Sequence, residues 1–96
     1  MNNGKNSNGK TSLMLVATMP NRSVILRLLI RHPQIDVNLE RPTDGSTSLL
    51  LSSIYGRTEN AKVLLGHPDI DPNQEDHVDS TALMAASKAG FAGIFA

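Results

Sequence analysis

Gly4-Lys5-Asn6-Ser7-Asn8-Gly9-Lys10-Thr11 reads G-x-x-x-x-G-K-[ST], letter for letter the pattern of a loop that cradles nucleotide phosphates. That chemistry needs a buried strand to deliver the glycine amides onto the phosphates at a helix start. Only Met1, Asn2 and Asn3 precede Gly4, and no apolar run ending in a magnesium-binding aspartate follows. The segment reads instead as a flexible leader, residues 1–8, running into a turn. Nucleotide binding and hydrolysis stays as the alternative function. His32 and His67, with Asp69 and Asp71 nearby, could be imagined around a metal ion. Their equivalent places beside Pro33 and Pro68 point to a shared structural job instead. No grouping of His, Ser or Cys with carboxylates suggests a triad or an acid–base pair. The expectation is a non-enzyme with no cofactor and no metal.

The elements that would position these residues are repeated. His32-Pro33-Gln34-Ile35-Asp36-Val37-Asn38 returns 35 residues later as His67-Pro68-Asp69-Ile70-Asp71-Pro72-Asn73. A second phrase, Lys10-Thr11-Ser12-Leu13-Met14-Leu15, returns as Ser46-Thr47-Ser48-Leu49-Leu50-Leu51 and as Ser80-Thr81-Ala82-Leu83-Met84-Ala85. A period in the 30s marks a helical solenoid, whose units bury their apolar faces only against neighbours. In the middle unit, Thr47 caps a short helix that runs from Leu49 to about Tyr55. Gly56 then stops it in a left-handed turn. Thr58 to Leu65 makes a second helix, ended at Gly66-His67-Pro68. Aligned from its far end, Asn21 of the first unit falls on Gly56, with Pro20 as an insertion. Another insertion lies around Arg41-Pro42-Thr43.

Asp44-Gly45-Ser46-Thr47-Ser48-Leu49, then Gly56, Val63-Leu64-Leu65 and Ile70-Asp71-Pro72-Asn73, resemble the ankyrin repeat. Thr81 to Gly90 keeps the same threonine-to-glycine gap. The resemblance implies an all-α, ankyrin-type helical solenoid of about two and a half helix-turn-helix repeats joined by hairpin loops. The array covers residues 9–96, as units 9–44, 45–78 and an incomplete 79–96. Ser12, Ser48 and Ala82 stand where the family prefers proline, and Met14, Leu50 and Met84 where it prefers histidine. Those exchanges are expected to remove the family's usual hydrogen-bond link between repeats. The implied role is non-catalytic protein–protein interaction, with partners held by hairpin tips and the exposed side of each first helix. On the first helices the matching positions are Ile54 and Tyr55, then Lys88 and Ala89, and in the first unit Thr18 and Met19. On the hairpins they are Arg41, Thr43 and Ser46, then His77, Val78 and Ser80. Ile54 beside the chain's one tyrosine is the expected anchor.

Composition limits the other classes. The 96 residues are 40% hydrophobic, with one Tyr, two Phe and no Trp or Cys, so the core must be aliphatic. Zero cysteine excludes disulfides and thiolate zinc sites, and fits a reducing, intracellular setting, cytoplasmic or nuclear. No apolar run approaches the ~18 residues that span a membrane. Basic residues lack interleaved aromatics and the net charge is zero, which argues against nucleic acid. Charge is nonetheless polarised. Residues 1–48 carry six basic and three acidic side chains, and residues 49–96 carry three basic and six acidic. A basic front and an acidic rear allow head-to-tail self-association as well as an unknown protein partner. The third unit stops at Ala96 partway through a second helix, leaving Phe91, Ile94 and Phe95 uncovered. That raises a further alternative, a truncated fragment without independent function.

Overall fold

A computed structural model describes residues 12–90. The leader, the Gly4–Thr11 loop and Phe91, Ile94 and Phe95 lie outside the described residues. Five helices, and no strand among the described residues, follow in the order α1 (Ser12–Thr18), α2 (Ser23–Ile30), α3 (Ser48–Ile54), α4 (Thr58–Leu65) and α5 (Ala82–Ala89). The first helices α1, α3 and α5 stack side by side in one layer, and α2 and α4 pair behind them in a second. Leu13, Leu26, Leu49, Leu50 and Leu64, with Ala17, Ala61, Ala82 and Ala86, form the core between the layers.

The local signals act as their chemistry requires. Thr47 and Thr81 sit in extended backbone just before α3 and α5, and each hydroxyl accepts a first-turn N–H, from Leu50 and Met84. The helices stop where the chain turns left-handed. Gly56 has φ +70°, and Asn21 takes the equivalent position in the first unit at φ +59°. Asparagine, like aspartate, enters that region more readily than other residues with a side chain, because its short polar group can hydrogen-bond locally.

The repeated heptapeptide builds the same loop twice. His32 Nδ1 accepts the Gln34 N–H and Asp36 Oδ1 the Asn38 N–H; His67 Nδ1 and Asp71 Oδ1 do the same for Asp69 and Asn73. Both imidazoles therefore have a structural job, and the loops copy each other bond for bond.

The expected loss of a link between repeats is answered elsewhere. Asn60, buried on α4, donates through Nδ2 to the carbonyls of Ala17 (3.1 Å) and Met19 (2.8 Å), and weakly to Val16. Arg57 Nε reaches the Thr18 carbonyl at 2.8 Å. At the loops, Asn38 Nδ2 donates to the Asp69 carbonyl (2.7 Å) and its Oδ1 accepts the Asp71 N–H (2.8 Å). These bonds satisfy the otherwise open end of α1 and fix the stacking register. In α3, Ser52 and Ser53 are fully buried and fold their hydroxyls back onto the Leu49 carbonyl.

The hairpins close by backbone pairs, Arg41 N–H to the Ser46 carbonyl and Asp76 N–H to the Ser80 carbonyl. The first holds one residue more, which is the insertion expected near Arg41-Pro42-Thr43. The His77 N–H donates to the Asp44 carbonyl at 2.8 Å, and its ring lies over Gly45. A Cβ on Gly45 would come within 2.5 Å of the His77 ring, at a backbone φ of +75°. The Arg41 guanidinium hydrogen-bonds the Asp44 carboxylate and holds it well below the usual carboxylate range, with the Ser46 N–H and hydroxyl adding to the effect against partial burial.

Two outcomes follow from this packing. Asn60→Ala leaves α1 carbonyls unpaired at a buried interface, and should lower stability by about 1–3 kcal/mol in urea unfolding followed by circular dichroism. A change under about 0.5 kcal/mol would mean that Asn60 does not hold the units together. For Asp44 the folded pKa is depressed, so its stabilising effect is complete above the ordinary carboxylate pKa of about 4 and fades as pH falls below it. The melting temperature of the wild type should exceed that of Asp44→Asn near neutral pH, and the gap should close on acidification. A gap that persists at low pH would assign the effect to packing instead.

Candidate protein-binding groove

Between α3, α5 and the second hairpin runs an open groove of about 300 Å³. Leu50 and Ile54 of α3 and Met84 and Ala85 of α5 make its apolar walls. Asp76 and Ser80 of the hairpin stand at one side and Lys88 at the end of α5. Leu50 is sealed at the bottom, while Ile54 and Met84 each keep about half of their surface exposed (47% and 54%). An exposed apolar pair flanked by a carboxylate and an ammonium is suited to hold an apolar side chain and orient its polar neighbours.

Asp76 is shaped by the hairpin as well as facing the groove. Its Oδ1 accepts the N–H groups of Val78 and Ser80, both at 2.9 Å. That double bond to backbone fixes the turn carrying Val78, the most exposed large apolar residue described (78%). Asp79 follows at φ +62°, in the place that Gly45 occupies one unit earlier.

Of the twelve residues expected at a partner face, the Ala89 side chain lies outside what is described, and the other eleven divide by position. Ile54, Lys88 and Ser80 line the groove. Tyr55 is exposed on the same helix end as Ile54. Thr43, His77 and Val78 are exposed at the hairpins, whereas Arg41 is half-buried against Asp44 and Met19 half-buried at the turn after α1. Two are buried. Thr18 is buried because its hydroxyl turns back to the Leu15 carbonyl while Asn60 and Arg57 cover the helix end. Ser46 is buried because its N–H and hydroxyl serve Asp44. Leu50, Met84, Ala85 and Asp76 line the groove too, outside the positions that the resemblance marks for a partner. Their signal was in the repeat: Leu50 and Met84 share the position where the family prefers histidine.

A second cleft of about 270 Å³ opens between the turn at Pro20 and Asn21 and the start of α4. Its Arg57 and Asn60 are already committed to carbonyls of α1. Both side chains serve the packing of the second unit on the first. Among the described residues no three His, Cys, Asp or Glu side chains cluster as metal ligands do, and no helix is long and apolar enough to cross a membrane.

No curated protein matches the chain. The family model for ankyrin repeats in three copies does, over residues 1–76, so that the match runs through the Gly4–Thr11 segment as well as the helices. With paired short helices, left-handed helix stops and stacked loops in the same residues, the chain belongs to the ankyrin-repeat family.

Proposed function

We propose that the chain is a non-catalytic protein-interaction module whose partner is gripped in the groove between α3 and α5. Ankyrin repeats are generally protein-binding units, and the single observation carrying this reading is the half-exposed Ile54–Met84 pair walled by Asp76 and Lys88. The partner inserts an apolar side chain over Leu50, and its polar neighbours meet Asp76 on one side and Lys88 on the other. Tyr55 and Val78 extend the contact along the helix and out to the hairpin tip. A second reading, head-to-tail association of copies, is favoured by the polarised charge.

A random peptide library displayed on phage and selected on the immobilised chain tests the groove. Selected clones should lose binding to Ile54→Arg by about tenfold or more, since an arginine head cannot enter an apolar pocket without losing hydration. The same clones should keep binding to Val24→Arg, an exposed position on α2 remote from the groove. Equal loss in both variants, or none in Ile54→Arg, would remove the groove as the site.

A further inference from the structure

We infer that the groove takes a short extended segment of its partner, in which one apolar residue has a lysine or arginine two places to one side and an aspartate or glutamate two places to the other. The basic side chain meets Asp76 and the acidic one meets Lys88. This names the partner's chemistry for the groove proposed above and rests on that reading.

The walls set the spacing. Leu50 and Ile54 on α3 are four residues apart, as are Met84 and Lys88 on α5, so each pair stands on one helix face over successive turns. Four residues rise about 6 Å along a helix. Side chains two apart on an extended chain recur on one face at about 6.6 Å, which matches. A helical occupant fits badly. With its side chains a helix is about 10–12 Å across, whereas neighbouring packed helices have axes only about 8–10 Å apart. Along the chain the hairpin comes first, Met84 follows in the first turn of α5 and Lys88 in the last, so carboxylate and ammonium lie at opposite ends of the groove. The equivalent places on α1 are closed, since Met14 and Thr18 are buried.

Both charges are left for a partner. Arg41 closes the first hairpin as Asp76 closes the second, each through its backbone N–H, but the Arg41 guanidinium is paired with Asp44 inside its own turn. Asp76 has no such cation. Its Oδ1 holds the Val78 and Ser80 N–H groups, while its Oδ2 makes no bond among the described residues. The Ser80 hydroxyl and the Lys88 ammonium are likewise unengaged among the described residues, and the hydroxyl is placed to donate to a carbonyl of an extended backbone. From Val63 to Ser87 the chain has five carboxylates and no lysine or arginine, so the hairpin end of the groove favours a cation. At the far end Lys88 stands where α3 has Ile54, and both positions are exposed. An ammonium in the last turn also suits the helix dipole. That structural role alone would leave a partner's charge preference unchanged when the charge of Lys88 is reversed.

The displayed peptide library, selected in parallel on the wild type and on Lys88→Glu, tests this. Wild-type clones should share the basic–apolar–acidic order, and clones from Lys88→Glu should carry a second basic residue in place of the acidic one. A synthetic wild-type peptide should bind Lys88→Glu about fivefold or more weakly in fluorescence polarisation, and regain affinity when its acid is changed to lysine. Clones that depend on Ile54 yet lack the shared charges, or a reversed peptide that regains nothing, overturn the charge pattern and leave the groove standing. Charges three or four places from the apolar residue, as a helical ligand needs, overturn the extended form. Clones indifferent to Ile54→Arg, or no clones at all, bring down the groove and the pattern together. Should Lys88→Glu lose its helical circular dichroism, Lys88→Met takes its place, and clones selected on it must lose the preference for an acid. A preference that survives overturns the pattern.

Discussion

A helix of seven or eight residues has little stability of its own in water, because nucleation costs more than so few hydrogen bonds return. Each of the five helices is held by what lies against it. Leu50 is sealed by the neighbours of α3, and Leu64 by the packing of α4 behind it. Folding is therefore a property of the stack, and the register between units is the quantity that the sequence must fix. Apolar contacts between aliphatic side chains are poor at fixing register, since they change little when one surface slides on another. Directional bonds do it better.

The directional bonds are placed at the two edges of each interface. Asn60 and Arg57 hold the helix side, and Asn38 holds the loop side with help from Gln74, whose amide reaches the Asn38 carbonyl. Between these edges the contact is left to leucine, alanine and serine. Replacing histidine by Leu50 and Met14 at the family's first-helix position gives up a polar contact in the middle of the interface and gains apolar burial there. Buried Ser52 and Ser53 need no outside partner, because each bonds within α3. The middle of the interface is thus dry and self-satisfied, and the edges carry its specificity.

Much of this was legible because the repeat announces itself. The threonine cap at Thr47, the left-handed stops at Asn21 and Gly56, the second helix of the middle unit and the loop insertions follow from residue type and spacing. The site was less legible. Thr18 and Ser46 are small polar residues at turns, and in sequence nothing separates such a residue facing solvent from one whose hydroxyl is turned inward. Asn60 was hidden for a related reason: on a helix with a polar face, an asparagine reads as solvated unless the carbonyls of another unit come within its reach. Asn38 differs. It lay in the repeated heptapeptide, where a polar residue held in step with two histidines was a sign of shared bonding. Leu50 and Met84 could have been assigned to the groove by noting that equivalent positions need not be equally covered.

The groove lies across the interface between the second and third units, since Leu50 and Ile54 of α3 make one wall and Met84 and Ala85 of α5 the other. An occupant that touched both helices would hold those units in register, and its binding free energy would add to the stability of that interface. Met14 and Leu50 are sealed at the equivalent positions, whereas Met84 keeps about half of its surface exposed. An unbranched thioether there can re-pack around apolar groups of different shape, so the wall that is least covered is also the one best able to adapt.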